Sequence, residues 1–163
     1  MGTYKVIRKR KKIPDKIYRE IRRVFPIVCV DVVITNGKKF LLAKRTNQPE
    51  KNKWWIPGGR ILKNELLKDA AFRVLKQETG LRGKTAKFVV FDELFHSPGY
   101  FPGATAHNIA FVFKMNISGN KKFNLDSQNS EAKWFSKIEP SWHPYVKRFL
   151  KEGRISIATF TSA

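Results

Sequence analysis

The spacing of apolar and polar positions lays out the elements of this chain. Ile17, Ile21 and Val24 recur at intervals of four and three, which predicts a helix over residues 15–25 with one apolar stripe. Pro14 suits its first turn, and Pro26 ends the pattern. Residues 27–34 are nearly all apolar and mostly β-branched, the signature of a strand. Asn36-Gly37, both tolerant of positive φ, predicts a hairpin turn into a return strand over 38–45. A polar loop over 46–57 ends in Trp54-Trp55-Ile56-Pro57. The next helix is predicted over 65–79, with Asn64 as its cap and Gly80 as the left-handed residue after it. Strands over 85–96 and 106–117 flank a loop at 98–103, and a turn at 118–120 follows. A polar loop then leads to a short strand at 132–135, containing Trp134 and Phe135. A last helix over 143–151 is predicted to stop at Gly153, and residues 154–160 read as an edge strand. This order predicts an α/β (α+β) fold with strands dominating the middle.

Composition narrows the class. The chain has 163 residues, 42% of them hydrophobic, which suits one domain with a real core and excludes a wholly disordered chain. Lys+Arg number 33 against 13 Asp+Glu, a net charge of +20 that favours anionic partners such as nucleotides, nucleic acid or acidic membrane. Residues 1–25 alone hold ten basic and two acidic side chains, and residues 8–12 are five positive charges in a row. Residues 1–12 therefore read as a basic N-terminal arm, either solvated or drawn to phosphates or RNA, ahead of a single domain over 13–163. Cys29 is the one cysteine, so an internal disulfide framework and a multi-cysteine metal site are excluded. Among valines and isoleucines it reads as a buried structural thiol. No apolar run approaches the roughly 20 residues of a membrane span. A soluble cytoplasmic protein is the expectation.

One segment carries candidate chemistry. Gly58-Gly59-Arg60 leads into the helix bearing Arg73 and Glu78, which ends at Gly80-Leu81. Glycines let backbone pass close to a ligand, and their carbonyls suit a hard, oxygen-seeking cation. Glu78 shares a helix face with Val74 and Leu75, so a carboxylate stands at the end of that face.

The segment resembles the box that defines the Nudix hydrolases. Gly59, Glu65, Arg73, Leu75, Glu78, Gly80 and Leu81 match that pattern at its spacing over the 23 positions 59–81. Two positions depart from it: Val74 and Gln77 stand where the box has glutamates, so of the three glutamates the box carries after its arginine only Glu78 remains. Leu41 to Pro49, followed by Trp54 to Arg60, is similar to the GDP-mannose mannosyl hydrolase branch, which shares these departures. The resemblance implies a Nudix fold, a mixed β-sheet sandwiched between helices. It also implies hydrolysis of a nucleoside diphosphate sugar, GDP-mannose or GDP-glucose, with water attacking sugar carbon 1 and GDP leaving. The implied cofactor is Mg²⁺, with Mn²⁺ as a substitute, and the implied assembly is a homodimer.

Residue by residue, the resemblance implies metal ligands at Gly58 (carbonyl), Glu78 (carboxylate) and Gln128 (amide oxygen). Arg45 would meet the diphosphate and the departing GDP, and Arg73 would support Glu78 or the leaving group. Asp31 and His96 fall near the sugar and diphosphate. Asn129 occupies the place of the branch's general-base histidine, and Asn108 that of a tyrosine assisting the leaving group. Glu131 is the candidate replacement base, ahead of His107. Glu65 reads as fixing the loop. Trp54, Trp55, Tyr100 and Phe101 are candidates either for stacking a base or for packing. The competing readings are a pyrophosphohydrolase attacking phosphorus of ADP-ribose, an NTP or a related compound, and a weakly catalytic nucleotide- or RNA-binding module.

Overall fold

A computed structural model describes residues 13–117 and 122–154. The basic arm, the 118–120 turn and residues 155–160 of the edge strand expected over 154–160 lie outside the described residues; Arg154 ends the last helix instead of opening a strand. The elements run α1 (Asp15–Val24), β1 (Ile27–Asn36), β2 (Lys39–Arg45), β3 (Trp54–Trp55), β4 (Gly58–Arg60), α2 (Leu67–Thr79), β5 (Ala86–His96), β6 (Ala106–Asn116), β7 (Asn129–Phe135) and α3 (Pro144–Arg154).

The seven strands form one mixed sheet in the order β3-β2-β1-β6-β5, with β4 added to β1 and β7 to β2. β1 is the hinge of the architecture. Along its whole length it pairs in parallel with β6, from Ile27 opposite Asn108 to Thr35 opposite Asn116. Its second half pairs with β2, Ile34 opposite Leu41. Its first half pairs instead with β4, which sets Asp31 opposite Gly58. The sheet therefore parts at the start of β1, and the glycine bend fills the gap.

Both faces of β1 are covered, which explains its near-continuous apolar run. Val30, Val32 and Ile34 pack with Met115 under Ala70, Ala71, Val74 and Leu75 of α2. Val33, Leu42 and Val112 pack under Tyr145, Val146, Phe149 and Leu150 of α3. The expected sheet between helices is what forms.

Four local expectations are corrected. Helix α2 begins at Leu67 with Leu66 at the cap and no side-chain capping bond; Asn64 instead takes a positive φ of 64° in the preceding turn. Gly153 does not stop α3 but lies within it, buried, because only a hydrogen fits there: a Cβ would stand 2.8 Å from Val33 Cγ1. Gly153→Ala should thus destabilise the fold by about 1–3 kcal/mol of overpacking, read as a lower midpoint in urea unfolding; an unshifted midpoint would mean α3 can lift away freely. The Ile17–Ile21–Val24 stripe of α1 is not the packing face, since Ile17 is 53% and Val24 63% exposed. Cys29 is only partly buried and lines a cleft, so it is not a core thiol.

Candidate active site

The parting of the sheet opens a cleft of about 510 Å³. Its wall includes Asp31, Arg45, Gly58, His96, Asn108 and Gln128, six of the nine positions singled out from sequence. Each arrives by a distinct structural device.

Gly58 is forced by Asp31. A Cβ at Gly58 would sit 2.0 Å from Asp31 Oδ1, so no other residue allows the carboxylate and the bend to coexist. Glu78 ends the buried stripe Ala70–Ala71–Val74–Leu75 of α2, and Gly80, at φ 73°, lets the chain leave immediately afterwards. The Glu78 side chain is 6% exposed. Its Oε2 accepts the Gly58 N–H at 3.2 Å and faces Asn129 Nδ2 at 3.5 Å. Asn129 also donates to Asp126 Oδ1 at 3.2 Å, and Gln128 Nε2 donates to Asp126 Oδ2 at 3.1 Å. The position expected of a base thus holds carboxylates in place.

The bend, Glu78, Gln128 and Asp126 form a small neighbourhood of oxygen donors. That donor set fits Mg²⁺, which binds through one or two carboxylates, water and substrate phosphate. Among the described residues there is no group of three or more acidic, histidine or cysteine side chains arranged for a metal. The position of one missing box glutamate, Val74, is 1% exposed and packed in the core. Gln77, at the other, accepts a hydrogen bond from Arg73 Nη1 at 3.0 Å.

Arg45 reaches the cleft because the β2–β7 register shifts between Lys44 and Arg45, Lys44 facing Glu131 and Arg45 facing Asn129. Its Nε donates to the Pro49 carbonyl at 2.8 Å, which fixes the guanidinium.

Asp31 is 7% exposed, and burial pushes its carboxyl up to about 6, while the Tyr145 hydroxyl and Arg45 act the other way. The Tyr145 hydroxyl donates to Asp31 Oδ2 at 2.5 Å, and its own ionisation is pushed far up by burial and by that carboxylate. The buried charge thereby gains the partner that burial demands.

His96 is 7% exposed, and its Nδ1 faces Glu50 Oε1 at 3.4 Å. Burial lowers its ionisation below the ordinary histidine value, against the pull of Glu50; Arg45 and His143 add to the lowering. At neutral pH the ring is therefore uncharged, with Nδ1 turned to Glu50 and Nε2 left as the basic nitrogen. Burial also raises the Glu50 carboxyl, but Lys53, His143 and His96 around it bring it below its usual value. Trp55 packs between these groups, its ring 5.8 Å from His96, 5.1 Å from His143 and 5.5 Å from Tyr145 in a stack. It is a wall of the histidine pair.

Two expectations are not met. Glu131 is an exposed side chain on β7 opposite Lys44 and does not line the cleft, so it is no replacement base. Neither Arg73 nor Glu78 stands on the cleft wall itself, but Glu78 meets Gly58, which does. The Arg73 Nε and Nη2 grip both oxygens of Glu65 at 2.5 and 2.7 Å, and Nη2 also donates to the Arg60 carbonyl at 2.9 Å. Glu65 Oε2 in turn accepts the Leu62 N–H at 3.0 Å. This is a clamp that ties the glycine bend to α2. His107 stacks on Phe95, ring centroids 4.4 Å apart, away from the cleft wall.

Sequence reasoning missed Glu50, Asp126 and Tyr145 as members of the site. Glu50 lies in a loop with no pattern, and Tyr145 reads as one aromatic of an ordinary helix. Asp126, two residues before Gln128, was the one with a local signal, because a carboxylate there can cap its own turn.

Comparison with known proteins agrees with this geometry. The family model described as NUDIX domain matches residues 26–152. The chain is 33% identical over 140 residues to a protein of Haloferax volcanii named Low-salt glycan biosynthesis protein Agl8, covering 85% of this chain and 89% of that one. It is 32% identical over 127 residues to an ADP-ribose pyrophosphatase of Methanocaldococcus jannaschii, covering 78% of this chain and 70% of that one. In fold it is similar to a MutT NUDIX hydrolase of Burkholderia pseudomallei, with TM-score 0.66 and 20% identity over 78% of this chain and 98% of that one. The carboxylate-ended helix, the glycine bend against it and the matched span of residues 26–152 together place the chain in the Nudix hydrolase family.

Proposed function

We propose that this protein hydrolyses a nucleoside diphosphate sugar, water adding to sugar carbon 1 and the nucleoside diphosphate leaving. The observation that carries the reading is the loss of two box carboxylates, one to a core valine and one to a glutamine held by Arg73. Attack on phosphorus through a metal cluster needs several carboxylates, whereas departure of an intact diphosphate needs its charge neutralised. Mg²⁺ would supply that neutralisation from the oxygens of Gly58, Glu78 and Gln128. The relative in H. volcanii is named for glycan biosynthesis, a setting in which activated sugars are at hand.

In this reading the Arg45 guanidinium, held by Pro49, meets the diphosphate and stabilises the charge that grows as the glycosidic C–O bond breaks. His96 Nε2 accepts the proton of the attacking water, and Glu50 on Nδ1 stabilises the imidazolium that results. Asp31 and Asn108, which line the cleft, would face the sugar. The net change is one water added, one C–O bond made to the sugar and one broken to the diphosphate.

Incubation with GDP-mannose and Mg²⁺ in ¹⁸O water is the test. Label in free mannose, with unlabelled GDP, supports the proposal. Label in phosphate, with GMP and mannose 1-phosphate released, would favour the second reading: a pyrophosphatase like the M. jannaschii relative, for which ADP-ribose is the next substrate to assay.

The base assignment has its own signature. Because burial holds His96 below the ordinary value, kcat/KM should stay level through neutral pH and fall only as the pH drops below about 6.5. His96→Gln should lose roughly 10²–10⁴-fold in kcat, and the acid limb with it. An acid limb that survives in His96→Gln would move the base elsewhere in the cleft.

The partner across the sheet edge is proposed to be a second copy of the chain. Among the described residues β5 is an edge strand, and its Phe91 and Phe95 are 60% and 68% exposed, a template on which another strand could pair. Phe91→Glu with Phe95→Glu should convert a sedimenting dimer to a monomer; a wild-type monomer would contradict the assignment.

A further inference from the structure

Helix α1 is held to the protein by its polar and aromatic side chains. Tyr18 and Arg22 line the cleft, and the Tyr18 ring packs edge-on against Tyr100 at 5.7 Å and Phe101 at 6.1 Å. The Arg19 guanidinium lies 4.3 Å from the Phe101 ring, and that of Arg60 lies 5.4 Å from the Tyr18 ring. Arg22 Nη1 donates to the Tyr18 hydroxyl at 3.0 Å. In most surface helices an apolar stripe does this work. Here no residue of α1 is buried.

The apolar stripe is turned outward instead. Ile17, Ile21 and Val24 fall within roughly 60° of one another around the helix axis. Ile17 is 53% exposed, Val24 63%, and Phe25, the next residue along, 65%. Lys16 and Arg23 border the stripe and are exposed. The acidic side chain beside them, Glu20, pairs with Arg23 Nε at 3.6 Å, and both partners remain mostly in water. Directly ahead of the helix in sequence stand Arg8-Lys9-Arg10-Lys11-Lys12, with no acidic residue among residues 1–12. Apolar side chains left in water beside a dense run of cations are a costly combination for a helix that serves the fold alone.

We infer that α1 and the basic segment before it form a docking face for an acidic lipid surface, the helix lying in the interface and not crossing it. An apolar stripe with a cationic border on a helix rich in charge is the pattern of an interfacial helix. Other occupants satisfy only half of it. An RNA would meet the cations and leave Ile17, Val24 and Phe25 in water. A second copy of the chain would bring two runs of like charge together. A bilayer rich in acidic lipid takes both parts at once: its headgroups meet Lys and Arg, and the boundary of its acyl chains takes the apolar side chains. The contacts of Tyr18, Arg19 and Arg22 keep the stripe facing outward, so the helix needs no reordering to dock. Ile13, Asp15 and Tyr18 line the cleft, so docking sets the cleft close to the lipid surface.

Cosedimentation of the full chain with vesicles tests this without any turnover. The wild type should pellet with vesicles of phosphatidylcholine and phosphatidylserine, three to one, and stay in solution with phosphatidylcholine alone; raised salt should weaken the binding. Val24→Gln with Phe25→Gln leaves the charge unchanged and alters two exposed side chains, so the urea midpoint should hold while vesicle affinity falls at least about ten-fold. Lys9→Gln with Lys11→Gln and Lys12→Gln should lower it at least about ten-fold as well, by lost attraction to the headgroups. No binding to the acidic vesicles overturns the inference. So does unchanged binding by the Val24→Gln, Phe25→Gln variant, which would mark simple adsorption of a cationic protein. Oligouridylate binding without vesicle binding would give the face to nucleic acid, and a fall in sedimenting mass in that variant would give it to a second copy; either result overturns the lipid assignment.

Discussion

Glu78→Gln lowers turnover by at least about 100-fold, the upper range for disturbing only the outer shell of a bound metal, and weakens Mg²⁺ binding with it. The change is isosteric, and the remaining amide oxygen still accepts the Gly58 N–H that Glu78 Oε2 accepts at 3.2 Å. Folding stability should therefore move little, so the loss reads as loss of charge at the site. The other box carboxylate, Glu65, is taken up by Arg73, and Val74 in the core and neutral Gln77 leave none to take over. Steady-state kinetics over a Mg²⁺ titration check it. A fully active mutant with unchanged metal dependence would remove Glu78 from the mechanism.

Arg73→Met is expected to act on the fold, and through the fold on the site. Arg73 and Glu65 side chains are only 11% and 4% exposed and make two short charge-assisted bonds. Removing the arginine leaves Glu65 buried and unneutralised by it, which typically costs about 3–5 kcal/mol. The Arg60 carbonyl loses a donor as well, so the bend should loosen from α2. Urea unfolding should show a large fall in midpoint, and Glu65→Gln added to Arg73→Met should recover part of it, since the stranded charge is then gone. A single mutant within about 1 kcal/mol of wild type would show that the clamp is ornamental, and a stable but inactive one would return Arg73 to a direct catalytic role.

The fold was readable where periodicity reports burial on two faces. Residues 27–34 form part of β1 because α2 and α3 both cover it, and the 65–79 pattern yields α2 because Ala70, Val74 and Glu78 fall on one side. The same logic misread α1: Ile17, Ile21 and Val24 are spaced as a core stripe, but spacing cannot say whether a partner surface exists, and Tyr18 and Arg22 face the protein instead. In the site, the spaced matches from Gly59 to Leu81 located the bend and Glu78, since that spacing is local geometry. For Arg73 the box left two roles, support of Glu78 or of the leaving group, because a box position says nothing of which neighbour the guanidinium meets, and here Glu65 takes it. Glu50 and Tyr145 come to His96 and Asp31 from 46 and 114 positions away. Those meetings depend on how loops and α3 close over the sheet, and no short-range pattern encodes them.

The account stands on one cation held between the glycine bend and Glu78 against a diphosphate. Counting bound Mn²⁺ by electron paramagnetic resonance, with and without GDP, addresses that claim most directly. One ion per chain, tight only when GDP is present and lost in Glu78→Gln, is the predicted result. Two or more ions per chain, or a single ion indifferent to Glu78, would contradict it.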